Sequence, residues 1–293
     1  MKVNTDVQRI LRFMAIFLIC PVFSACDRLA SIPAVPKITG DQWLLKYPHI
    51  GIKIADIEFI LAKPSSSLIV YLLAIITMAA GVRFLVRKSD LKSGKWWGIA
   101  LLLWGAGTVF AGTSYQAFAY EIKCAGRPFC SFTSWYEIIY LILEVFSVNA
   151  ILVAVAYSVL EKTKIKFVKL YAILNSSVYL ATVLAGSFIP VKFLITFEMM
   201  LLFCIPGLAG VFVISSKNYF KHRDMLGKSL FAACFILLFV MIFYYAYLLA
   251  GFTEILWGKG IWFSANDVLH IGLIIWMLYL STALFRNLKD YDQ

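Results

Sequence analysis

Three residues near the C-terminal end of the chain are of types that could do chemistry together. The stretch WFSANDVLHIGLIIWMLYL, residues 262–280, carries Asn266, Asp267 and His270 before turning almost wholly apolar. In a helix Asn266 and His270 are four apart and Asp267 and His270 three apart, so an amide, a carboxylate and an imidazole share one face. The Asp267 carboxylate could hold one nitrogen of His270 and present the other inward, as carboxylates behind metal-bound histidines do. Capping is the plainer reading of Asp267, because Ser264, Asn266 and Asp267 are all good residues at a helix start. Capping does not explain His270, although a lone histidine on an apolar helix is usually a structural hydrogen-bonding group.

Further polar groups sit in apolar surroundings. Glu137, Tyr140, Glu144 and Ser147 follow a three/four spacing and make one polar stripe on a helix. Glu198 falls about two turns into another apolar stretch, and Glu121 closes a third. Thr108, Gly112 and Gln116 are each four apart and face together, with Gln116 at about the depth of His270. Polar groups inside a membrane span are costly, which makes each a functional hypothesis. Glu121, Glu137 and Asp267 also suit the membrane interface, where they would touch headgroups and water. Taken together they predict a polar cavity opening outward, lined by His270, Asp267, Asn266, Gln116, Thr108, Glu137, Glu144 and Glu198.

The elements that must position these groups are membrane helices. The chain is 62% hydrophobic and 15% charged, far from the composition of soluble domains. A bilayer is spanned by about 20 apolar residues, and seven stretches qualify: 68–86, 97–118, 136–160, 170–188, 191–215, 230–250 and 268–285. The expected fold is an all-α membrane protein, a seven-transmembrane helix bundle covering 67–287. Loops after the first, third and fifth stretches, counting Arg83, hold thirteen lysines and arginines, and Arg286 and Lys289 at the C-terminal end make fifteen, against four in the opposite loops. The positive-inside rule then puts the C-terminus in the cytoplasm and the segment 27–66 outside. The net charge of +11 follows from that asymmetry, so no nucleic-acid partner is implied.

Residues 1–26 read as a secretory signal, with Lys2, Arg9 and Arg12 before a short apolar core. The FSAC run resembles a relaxed bacterial lipobox, in which Cys26 would be lipidated; Phe23 departs from the usual leucine. An uncleaved eighth helix is the other reading, and both keep the topology. Localisation in a bacterial inner membrane follows. Segment 27–66, punctuated by four prolines, is too short for a substantial core and suits a cap over the bundle. Cys124 and Cys130 lie in a loop assigned to the outside, where a disulfide persists.

Two stretches carry a resemblance. GAGTVFAG, residues 105–112, is similar to the second-span signature of the CREST superfamily, the alkaline ceramidases and progestin/adiponectin-receptor-like proteins. NDVLH, residues 266–270, occupies the place of that superfamily's last-span His-x-x-x-His pair. The resemblance implies a seven-helix fold and a zinc site hydrolysing a lipid amide through metal-bound water, with an acidic partner at Glu137 or Glu144. Thr108 keeps the signature's hydroxyl. Gly112, however, stands where a histidine ligand is expected, and Asn266 stands for the first histidine of the pair. His270 with Asp267 is what is left of the metal set, and zinc needs three good ligands plus an open position. A lipid- or small-ligand-binding protein without catalysis is therefore expected ahead of a zinc-dependent hydrolase or a purely structural, partner-binding protein. The last span has no lysine for a retinal Schiff base, and no Gly-x-Ser-x-Gly elbow or His-Glu-x-x-His motif occurs.

Overall fold

Seven helices are long and apolar enough to cross a membrane: Pro64–Arg87, Lys92–Ala117, Trp135–Val159, Lys162–Phe188, Phe197–His222, Met225–Leu249 and Ala265–Asn287. They are called the first to seventh spans below. The computed structural model describes residues 28–189 and 191–291. The signal segment 1–26 and the lipidation candidate Cys26 lie outside the described residues.

Local chemistry sets the span ends. Pro64 opens the first span, its missing N–H falling where helices leave donors unpaired anyway. The fifth span starts at Phe197, six residues later than its apolar run, because Lys192–Ile195 form a 3-10 turn and the Thr196 hydroxyl caps Met199 N–H at 3.2 Å. Asp224 caps the sixth span through Gly227 N–H at 2.8 Å, starting it at Met225. The second span widens into a π-helical turn over Gly112–Ala117.

The first, second, third, fifth, sixth and seventh spans pack in that order into a closed ring, and the fourth leans on the third from outside. Between helices in lipid there is little hydrophobic drive, so close packing and polar cross-links do the work. Glycines at seven-residue intervals bring the first two spans together. A Cβ on Gly98, Gly105 or Gly112 would lie 2.5, 2.5 and 2.7 Å from Leu85, Met78 and Val70. Asn149 and Asn175 supply a cross-link: Asn149 donates to Ser176 Oγ at 2.9 Å, and Asn175 donates to Phe203 O at 3.0 Å, tying the third, fourth and fifth spans. Inside the ring Trp104 meets Trp276 at 5.0 Å between centroids, and the Trp276 indole N–H donates to Ala233 O at 2.8 Å.

One end of the bundle carries a cap. A short helix, Gly40–Lys46, leads into an antiparallel hairpin of β1, His49–Ile54, and β2, Ile57–Ala62. Trp43 and Ala62 pack with Ala119 and the disulfide-bonded Cys124 and Cys130 of the loop beyond the second span. The cap therefore shares its small core with that loop. At the opposite, basic end the C-terminal tail folds back. Asp290 accepts Lys92 and Ser93 N–H at 2.8 and 2.9 Å, capping the second span from the far end of the chain.

Candidate functional site

A cavity of 540 Å³ lies inside the helix ring, walled by all spans except the fourth. Its wall is overwhelmingly apolar and aromatic, with Trp104 and Trp276 among the lining residues. Thr108, Tyr140, Glu144, Cys204, Cys234 and His270 bring the polar groups. The Thr108 hydroxyl is spent within its own helix, donating to Trp104 O at 2.9 Å. Glu144 Oε2 and His270 Nδ1 are buried and have no hydrogen-bond partner among the described residues. Buried polar atoms are nearly always paired, so these two orphans on one apolar cavity, with the Trp97 indole N–H on the same wall a third, call for an explanation. Water or the polar end of a ligand could satisfy both.

Of the two roles open to Asp267, helix cap and histidine partner, the structure shows the cap. It is fully buried, and Ser264 N–H donates to its Oδ2 at 2.5 Å in a capping box at the start of the seventh span. The Ser65 hydroxyl reaches the same oxygen at 3.5 Å and also donates to Trp262 O, while Ser66 and Ser264 hydroxyls meet at 3.1 Å. Asp267 thus fastens the first span to the seventh. No hydrogen bond joins it to His270, and Asp267 Oδ1 has itself no partner among the described residues. Asn266 is half-buried and is not part of the cavity wall.

Glu137 belongs to a separate, charged cluster beneath the cap. Lys123 Nζ lies 2.7 Å from Glu137 Oε1, and Ser114 Oγ donates to that oxygen at 2.9 Å. Ser134 caps the third span and bonds Ser114 Oγ at 2.7 Å. Lys63, in a left-handed conformation at φ 43° just before the first span, donates to Tyr115 O at 3.2 Å and sits 4.8 Å over the Tyr47 ring. Burial holds its ammonium below the usual lysine range, at about 8, with Lys123 adding to the effect and Glu137 and Asp267 opposing it. Glu121 accepts Ile60 N–H at 2.9 Å and anchors the hairpin. Tyr115 and Tyr140, 6.1 Å apart edge to face, stand between this cluster and the cavity.

The remaining candidates separate. Glu198 is in the first turn of the fifth span, not two turns inside it, and is exposed, because the 3-10 turn and the Thr196 cap use up the preceding residues. Gln116 is buried with an unpartnered Oε1 but lies off the cavity wall: the π-helical turn breaks the four-residue register with Thr108. Ser147 leaves the polar stripe and donates to Ala100 O of the second span at 2.9 Å. Gly112 packs on Val70, a steric reason for glycine at that position. Of the eight residues expected to share one pocket, Thr108, Glu144 and His270 line the cavity.

Sequence reasoning missed Lys63 and Lys123 as site residues, counting Lys123 for topology alone. A lysine ahead of Pro64 and another fourteen residues before Glu137 were the available signals. Among the described residues no three His, Cys, Asp or Glu side chains come together as a metal-ligand set. His270 and Asp267 therefore do not fit a zinc centre, which needs a third protein ligand beside them. Comparison of the chain with protein-family models, with curated proteins and with solved structures finds no match.

Proposed function

We propose that this multi-pass membrane protein holds the hydrocarbon chain of a membrane lipid in the cavity among its spans, with Glu144 and His270 meeting the lipid's polar portion. The observation that carries this reading is the 540 Å³ apolar cavity on which Glu144 Oε2, His270 Nδ1 and the Trp97 indole N–H have no partner among the described residues. At about 30 Å³ for a water-sized group, that volume takes roughly eighteen methylenes, one long acyl chain. It also lies within the range of about 300–1,000 Å³ usual for small-ligand sites. Glu144 and His270 would favour a hydroxyl or amide over a bare hydrocarbon end, because such a group satisfies both orphans.

Sidedness and ancestry belong to the same proposal. The loop charges support a cytoplasmic basic end, with the cap facing outward in a bacterial inner membrane. GAGT at 105–108 and His270 support a CREST-like ancestry in which the metal set has been lost.

Binding of a dansyl-labelled hexadecanamide to the detergent-purified protein tests the reading, with energy transfer from Trp104 and Trp276 as the signal. Saturable uptake of one probe per chain is expected. Leu208→Trp, which fills the cavity, should weaken it at least tenfold, and Glu144→Leu should weaken the amide probe more than a plain alkyl probe. Uptake that rises linearly with probe and ignores Leu208→Trp would exclude the proposal.

A further inference from the structure

The cavity wall is not equally closed all round. Every lining residue on the first, second, third and seventh spans is buried or half-buried. The exposed lining residues, Phe197, Ile205, Ala209, Phe212 and Leu238, all belong to the fifth and sixth spans. The packing around these two helices explains the difference. The fifth span is pinned to the third by Gly207 and Gly210, where an added Cβ would lie 3.1 Å from Val148 and from Leu152. The sixth is pinned to the seventh by Gly272, where a Cβ would lie 2.6 Å from Val240. Between the fifth and sixth spans the ring contacts gather toward the basic end: Tyr219–Phe231 at 5.0 Å, Phe220–Phe231 at 5.5 Å and Phe212–Phe235 at 6.1 Å. The sixth span is also the least enclosed, with 6% of its apolar window buried.

We infer that the fifth and sixth spans form a lateral portal, closed at the basic end by the Phe212–Phe235 aromatic cluster, through which a lipid chain enters the cavity sideways from the bilayer. This rests on the cavity being a lipid-chain site. The opening faces the hydrocarbon of the membrane, so its partner is a molecule already dissolved there. Pro206 sits at the point where the fifth span leaves its Gly207 and Gly210 contacts. Proline has no N–H to donate to the carbonyl one turn back, so the helix is weakest there. A bend at that point would move Phe197, Leu201 and Ile205 of the capped half against the contacts that Met199, Met200 and Cys204 make with the third span, widening the portal.

Stopped-flow loading of dansyl hexadecanamide from mixed micelles tests the route, because rate and end-point are read separately. The filling pair Ile205→Phe/Leu238→Phe should slow loading at least fivefold, a larger factor than any loss of end-point, and the widening pair Ile205→Ala/Leu238→Ala should speed it. Leu202→Phe/Ile242→Phe adds the same bulk on exposed positions off the cavity wall and should load at the parent rate. Pro206→Ala, restoring the missing donor, should slow loading. Filling and widening pairs that both load within twofold of the parent would overturn the portal. A slower rate with a matching loss of end-point would overturn it too, marking the pair as part of the binding wall alone. If the filling pair fails to fold, the widening pair decides. Absence of saturable uptake by the parent protein would remove the lipid-chain reading itself, and the portal with it.

Discussion

Glu137 and Glu144 are two carboxylates seven residues apart on one helix face, and the molecule treats them oppositely. Glu137 is buried beneath the cap with a lysine at 2.7 Å, a serine hydroxyl at 2.9 Å and a capped backbone. Glu144, two turns further into the bundle, presents a buried oxygen without a partner to an apolar cavity. Removing one partner of a buried ion pair strands the other, whereas removing an unpartnered group relieves its burial cost. Burial is therefore common to both regions and does not separate structure from function. What separates them is whether the hydrogen-bonding capacity is used up: under the cap it largely is, in the cavity it is left open.

The largest effect expected from that contrast is on stability. Glu137→Ala leaves the half-buried Lys123 without its carboxylate and should cost about 3 kcal/mol in chemical unfolding of the detergent-solubilised protein. Glu144→Leu should stay within ~1 kcal/mol of the parent or gain stability, since an orphan is replaced by an apolar group. Equal costs for the two variants would break the comparison. Next in size is the cap itself. Replacing Cys124 and Cys130 by serine opens a six-residue separation and should cost roughly 2 kcal/mol, read as faster limited proteolysis of that loop while probe binding in the cavity persists.

A smaller effect sharpens the comparison at the basic end. Asp290→Ala removes the cap on the second span and should cost about 1 kcal/mol, seen as faster hydrogen exchange at Lys92 and Ser93. The effect on the cavity should be nil. A separate change is expected with pH. Burial pushes the Lys63 ammonium down to about 8 in the folded protein, below the usual lysine value of 10.5, so above pH 8 the unfolded chain binds more protons than the folded one. Stability should therefore rise with pH between about 8 and 10.5, and Lys63→Met should flatten that rise. A fall across the same window would show that Lys63 is held as a favoured cation.

How legible was the site? Glu144 could be singled out from its depth in an apolar run and His270 because helix capping does not explain it, and both line the cavity. Glu198 could not be judged that way, because its depth depends on where the span begins. Thr196 and the 3-10 turn decide that, and hydropathy does not register either. Gln116 was misplaced for a related reason: a four-residue spacing defines a face in an α-helix but not through a π-helical turn. Asp267 is the instructive case. Both readings of it, cap and histidine partner, were open from the spacing, and the choice came from Ser65 and Ser264 meeting it where the first and seventh spans adjoin.

Taken alone, the sequence determined the seven apolar helices, the uneven loop charge and the pair of cysteines close enough to join. These are properties of single segments or short separations, and the cost of exposing backbone polar groups in lipid makes each segment helical on its own. Tertiary structure decided the rest: which helices are neighbours, that the fourth stands outside the ring, and that glycines close three seams while the fifth and sixth spans meet through aromatic rings toward the basic end. It also decided which polar groups have partners. Helical periodicity sets the direction of a side chain within its own helix, but its neighbour across the gap belongs to a segment up to two hundred residues away.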